Sequence, residues 1–269
     1  MPTNDPLATL KRSPSRYSYW SIIPTIVIMP FLLEAWSSKP VPAAVFCECP
    51  PGESKSQKLS GPEFTDEREE AEQQLRDKER AKREVAELTK HIEEAKEPDF
   101  AVFEERGDAH LVLENYQLAL DDYLKSAKLR RGMTFQMAVK SSRAAIGKGD
   151  DVLALRHMEG SKTGIYKQTA YAISALILAK SRDEKVKNPK EALDAAHLAS
   201  AIDPTKPPDV LVYLALAASY SANGNFKAAV EHQEKAIGKL KGKVPTSFKR
   251  DLEAYKAGKE VLFPPAKKQ

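Results

Sequence analysis

The sequence is short of the residues that staple small scaffolds together. Its 269 residues include 2 Cys, and aromatic residues make up only 7%. Two thiols cannot form a disulfide framework, and Cys47 and Cys49 have no His or second Cys pair nearby to close a tetrahedral zinc site. So few aromatics, with 12 Gly and 18 Pro, also argue against a many-turned β-sandwich. Charge of one sign is lacking too. Lys+Arg 42 nearly balance Asp+Glu 38 for a net +4, which excludes a basic arm, so no nucleic-acid partner is expected. Long apolar runs are missing: the longest, Trp20 to Leu33, is interrupted by Pro24 and Pro30 and falls short of the roughly 20 residues a spanning helix needs. What is present is Ala, Lys and Glu in quantity and 42% hydrophobic residues, enough for one or two cores in an all-α protein.

Residues 1–43 read as a signal peptide or a membrane anchor. Lys11, Arg12 and Arg16 precede the apolar run, Glu34 ends it, and small residues follow at Ala35, Ser37 and Ala43. Cleavage near Ser37 or Ala43, an uncleaved anchor over 17–36, and an apolar extension of a cytosolic protein are the three readings. Under the first two the basic flank stays inside. The body is then exported, periplasmic or extracellular, or held outside the inner membrane, with membrane association through this segment. Phe46 is too large to precede a lipidated Cys47, so Cys47 and Cys49 are expected as exposed thiols of a loop. Residues 44–64 carry Pro, Gly, Ser and Lys with few apolar side chains, a flexible linker.

From 65 to 97 Glu, Lys, Arg and Ala dominate without Gly or Pro, and opposite charges recur three and four residues apart. This predicts a long solvated helix ended by Pro98. Val85, Leu88, Ile92 and Ala95 keep heptad spacing, whereas Lys78 and Gln74 stand in the same seam upstream. The last turns are expected to dock on the segment C-terminal to Pro98. Residues 65–97 also offer a surface for a weak homo-oligomer of coiled-coil type.

The informative part is residues 98–243. A helix with a small residue at Gly107 reaches a turn at Glu114-Asn115, and a second helix opens with Tyr116, then Ala119 and Tyr123. The same order returns in Ala217, Asn223-Gly224-Asn225, Phe226, Ala229 and Ala236. Counting through Ala119, Ala154, Ala192 and Ala229 gives intervals of 35, 38 and 37 residues. Two helices at such a period predict stacked hairpins over about 100–133, 135–168, 168–206 and 210–243. Alanine and glycine let the paired helices approach, while Tyr123, Met158, Leu178, Tyr213, Tyr220 and Phe226 fill the spaces between hairpins. Gly149 and Gly224 suit turns of positive φ. The second unit has Asp151 where the aromatic should be, and the third has a turn lengthened by Ser181 to Lys187.

This pattern resembles the tetratricopeptide repeat family, of the bacterial type with an N-terminal export signal or anchor. The resemblance covers a little over half of the chain. It implies an α-solenoid whose first helices line a concave groove for an extended protein or peptide partner. Carried over by register, the lining is Glu104, Asp108, Leu111 and Val112, then Val139, Arg143 and Ile146, then Ala172, Leu176 and Ala179, then Leu214, Ala218 and Ser221. Arg143 is the only cation among them, set either for an anionic peptide group or for a salt bridge to Asp108 or Glu104. A capping helix is expected over 244–260, with Phe248, Leu252 and Tyr255 inward and Lys249, Arg250, Asp251, Glu253 and Lys256 outward, then a disordered tail over 261–269.

No nucleophile, metal or cofactor constellation stands out. The five His, at 91, 110, 157, 197 and 232, never take metal spacing, and the Lys239 to Arg250 cluster is interleaved with acids as a solvated face is. The sequence therefore predicts a non-enzymatic interaction scaffold without cofactor. The other reading is a structural spacer, self-associating through its charged helix, whose repeats act as a cap.

Overall fold

The computed structural model describes residues 62–266, with side chains from Arg68 onward. The signal or anchor segment, Cys47, Cys49, nearly all of the linker and residues 267–269 lie outside the described residues. Among the described residues there are ten helices and no strand, and no helix is long and apolar enough to cross a membrane. They are α1 (Pro62–Glu94), α2 (Phe100–Val112), α3 (Tyr116–Arg130), α4 (Phe135–Lys148), α5 (Asp151–Glu159), α6 (Lys167–Lys180), α7 (Pro189–Ala201), α8 (Val210–Ala222), α9 (Phe226–Gly238) and α10 (Thr246–Lys256).

The helices pack in chain order. α2 pairs with α3, α4 with α5, α6 with α7 and α8 with α9, and each hairpin touches the next through α3–α4, α5–α6 and α7–α8. Between the last two hairpins α6 also lies directly on α8, while α1 covers α2 and α10 covers α9.

One turn geometry closes the first, second and fourth hairpins, and its cause is local. The residue four places before each registered alanine is Asn115, Asp150, Asn188 or Asn225, and each is the N-cap of its helix. Three of the four use the side chain: Asp150, Asn188 and Asn225 accept from the backbone N–H three residues on, filling a donor the first helical turn leaves unpaired. The alanine N–H then donates to the cap carbonyl at 3.0, 3.1, 2.9 and 3.1 Å. Backward, the cap N–H donates to the carbonyl five residues earlier in three hairpins, as in Asn115 to His110 and Asp150 to Ala145. That closure forces positive φ just before the cap: 62° at Glu114, 86° at Gly149 and 75° at Gly224. In the third hairpin the insertion moves the bond to Leu178, ten residues before Asn188.

Behind the turns sit the small residues. Ala119, Ala154, Ala192 and Ala229 are fully buried, as the period requires of the side that meets the partner helix. Where alanine is still too large, glycine appears. A Cβ on Gly107 would stand 2.7 Å from the Tyr123 ring, and one on Gly147 would stand 2.4 Å from the Tyr116 ring. The first approach is within a hairpin and the second is between hairpins.

Two details differ from the sequence reading. α1 starts at Pro62 and ends at Glu94, a few residues ahead of the 65–97 expected. Its final half docks on α2 through buried Ala81 and half-buried Val85, Leu88 and Ile92, whereas Leu75 is exposed. In α10, Phe248 and Tyr255 face inward, but so does Asp251, which was expected outward; its carboxylate pairs with Lys180 of α6 at 3.0 Å, with the two side chains 14% and 5% exposed.

Candidate interaction surface

The inner face foreseen for partner binding divides into two parts. Around Glu104, Asp108 and Lys140 of the first two hairpins it is polar and open. Glu104 and Asp108 lie one turn apart on α2, and Lys140 of α4 donates to both, at 3.0 Å to Glu104 Oε1 and 2.7 Å to Asp108 Oδ2. Tyr123, wholly buried, sends its hydroxyl to Asp108 Oδ1 at 2.8 Å, and Arg130 reaches Glu104 at 3.9 Å. Asp108 is surrounded on most sides yet keeps 43% of its side-chain surface open, the position of a group on the floor of a recess. Burial alone would lower the Lys140 ammonium; Asp108 and then Glu104 outweigh it and hold it above its ordinary value, so it is charged at neutral pH. Tyr123 is raised well above the usual phenol range by burial and by Asp108, so it donates and does not ionise.

Arg143, the cation singled out from sequence, acts electrostatically on two buried phenols. Lys140 takes Glu104 and Asp108, and Arg143 lies beside Tyr116 and Tyr123, where its charge partly offsets the burial that raises both phenols. A signal for Lys140 existed. It stands 36 residues after Glu104, one repeat on, so the two occupy matching places on neighbouring hairpins.

Away from Glu104, Asp108 and Lys140 the same face is shut, on α2 and α4 of the first two hairpins as well as on the last two. Val139, Ile146, Ala172, Leu176, Ala179, Leu214 and Ala218, named above as groove lining, belong to the largest apolar cluster. Leu111 belongs to a second cluster and Ser221 is 3% exposed. These residues are core and not an open wall, because α6 and α8 pack on each other and both are apolar on every side. An apolar inner face with alanine at the contact brings the axes together until nothing fits between them.

A second polar cluster locks α1 in place. Arg106 of α2 forks onto Asp122 of α3 at 2.7 and 2.8 Å and also donates to Thr89 of α1 at 3.2 Å. Asp122 is 4% exposed, and the bidentate bond to it raises the guanidinium pKa. His110, 4.0 Å from the same carboxylate, is held below its ordinary value by burial, with Asp122 opposing. Lys78 of α1 reaches Glu114 at 3.0 Å. The partner of a non-glycine residue at positive φ is therefore the helix that covers its hairpin.

Near the other end, His232 lies flat against Tyr220 with ring centres 5.3 Å apart, and Tyr220 meets His197 edge-on at 5.8 Å. Burial lowers the His232 pKa, and Lys235 adds to the effect. Among the described residues no group of three or more His, Cys, Asp or Glu could hold a metal ion. No protein-family model matches the chain, and no curated protein and no solved structure matches it either.

Proposed function

We propose that this chain is a non-enzymatic interaction scaffold: a solenoid of four tetratricopeptide-like hairpins, capped by α10, whose ligand surface is the ion-paired inner face of the first two. One observation carries the reading. All four hairpins have an Asn or Asp at the N-cap of the second helix and a fully buried alanine four residues later, which is what repeated copies of a single stacking unit produce. Within that stack the Glu104, Asp108 and Lys140 floor is the polar part of the inner face with solvent access, and its alternating charges suit a partner segment bearing both signs. The N-terminal sequence supports an exported or membrane-held body, and exposed Leu75 on α1 supports weak self-association there.

The test is partner capture by the full chain, compared with Glu104→Gln/Asp108→Asn, which removes both charges and keeps the shape. Capture should fall with that variant and persist with Asp121→Asn, on the exposed outer side of α3. Equal capture by all three chains, with circular dichroism unchanged, would refute the assignment of the floor; substrate turnover by the purified chain would refute the non-enzymatic reading.

A further inference from the structure

The chain beyond α10, expected from sequence to be disordered over 261–269, is seated as far as the described residues run. It returns without helix across the turn ends of the earlier hairpins. Gly258, at φ 66°, makes the bend beside Phe226 of α9. Glu260 then meets Lys187 of the α6–α7 link at 2.8 Å. The Phe263 N–H donates to the Lys180 carbonyl at 2.8 Å, the Arg182 guanidinium donates to the Phe263 carbonyl, and the ring is 2% exposed. Ala266 ends against Gly149, where any Cβ would come within 2.8 Å of it. Two prolines follow Phe263 and hold this stretch extended.

The seat is built by the insertion that breaks the repeat. A turn of two or three residues, as in the other hairpins, would not supply the Arg182 guanidinium beside the Lys180 carbonyl at this place. The seat also closes its own hydrogen bonds without the tail. Asp183 N–H donates to Ser181 Oγ at 3.0 Å, Lys185 N–H to Asp183 Oδ1 at 2.9 Å, and Val186 N–H and Lys187 N–H to the Asp183 carbonyl at 2.9 and 2.8 Å. Ser181 is fixed in turn by the Asp151 carboxylate of α5. A preformed surface that satisfies both main-chain groups of one residue and buries its ring has the chemistry of peptide capture.

We propose that the Lys180–Lys187 seat is a recognition site for extended Leu-Phe-Pro-Pro segments, filled in cis by the chain's own tail and open to a partner segment of the same chemistry when the tail lifts. Such a tether gives the tail an effective concentration in the millimolar range, so a partner competes against it and does not simply add.

The experiment begins with the folded full chain carrying a specific protease site between Gly258 and Lys259, an exposed stretch. After cutting, the tail fragment should stay bound through gel filtration at micromolar concentration and exchange for a labelled synthetic peptide of residues 259–269. In full-length Phe263→Asp chain the labelled peptide should bind about tenfold or more tighter than in the uncut wild type, where the tail competes. It should bind about tenfold weaker when Arg182→Ala is added, or when the peptide carries Ala in place of Phe263. A tail lost at once from the cut, still helical chain overturns the proposal. So does equal peptide binding by wild type and Phe263→Asp, and the cut-chain result stands even where Phe263→Asp fails to fold.

Discussion

The first two helical hairpins and the last two solve the contact between helices differently. In the first pair, Tyr116 and Tyr123 press on Gly147 and Gly107, and ion pairs run from α2 to α3 and α4. In the last pair the helix axes meet through alanine, leucine, isoleucine and valine, with the Tyr220, His232 and His197 rings set to one side and Lys180 paired with Asp251 of α10. The difference teaches that side-chain size at the shared axis decides what the inner face becomes. Where bulky rings with polar ends meet, Asp108 keeps part of its side chain in solvent. Methyl groups let α6 and α8 close.

The two kinds of ion pair should differ most. Asp251→Ala breaks the Lys180 ion pair where water barely reaches and should cost about 3 kcal/mol in chemical denaturation, most of it recovered by Lys180→Met/Asp251→Leu. Lys140→Ala, between carboxylates that keep solvent access, should cost only about 1 kcal/mol. Equal costs would erase the distinction between the halves.

Size at the axis gives the next effect. Gly147→Ala drives a methyl into the Tyr116 ring and should lower stability by about 1–3 kcal/mol, with Tyr116→Leu in the same chain restoring much of it. At the eighth residue of α8, the place Gly107 holds in α2, Ala217 already carries its methyl fully buried. Ala217→Gly should therefore lose about 1 kcal/mol, the opposite preference from the first hairpin.

Acidity separates the halves further. His110, His157 and His232 are all held below their ordinary value, burial being the first cause in each. Their neutral forms favour the fold, so that stability is full above about pH 6.5 and drains as pH falls through the lower folded values. Asp122 opposes the shift at His110, while Lys235 and His197 deepen it at His232, beyond what Glu231 returns. The drop in melting temperature between pH 7.5 and 5.5 should thus shrink more with His232→Gln than with His110→Gln. The reverse order would show that the charges around these rings were read wrongly.

The smallest effect is at the turns. Glu114→Gly relieves a side chain at φ 62° but gives up the bond to Lys78, and the two should nearly cancel, leaving a net gain under about 1 kcal/mol. In a Lys78→Ala background the gain should be larger, because the bond to Lys78 is no longer given up with it. No difference between backgrounds would mean that α1 is not what keeps glutamate there.

Much of this was legible in the residues. The spacing of Ala119, Ala154, Ala192 and Ala229 located the hairpins, and Gly149 and Gly224 stood where the turns need positive φ, since both features answer to local geometry. The candidate surface was half legible. Glu104 and Asp108 keep part of their side chains in solvent, whereas Leu176 and Leu214, expected as groove lining, are buried because a helical wheel cannot tell a neighbour from a ligand. Lys140 went unnoticed although it sat one repeat from Glu104, and the tail looked too short and too rich in proline to belong to a core.

The amino-acid order by itself determined where each helix starts, how it is capped and which side it turns inward, because these depend on residues within a few places of one another. Only the tertiary structure decided whether an inward side meets another helix or water, and that the insertion after α6 would receive Phe263. Those outcomes depend on how closely two hairpins approach, a distance set jointly by groups far apart in the chain, such as Asp108 with Lys140 and Lys180 with Asp251 and Phe263.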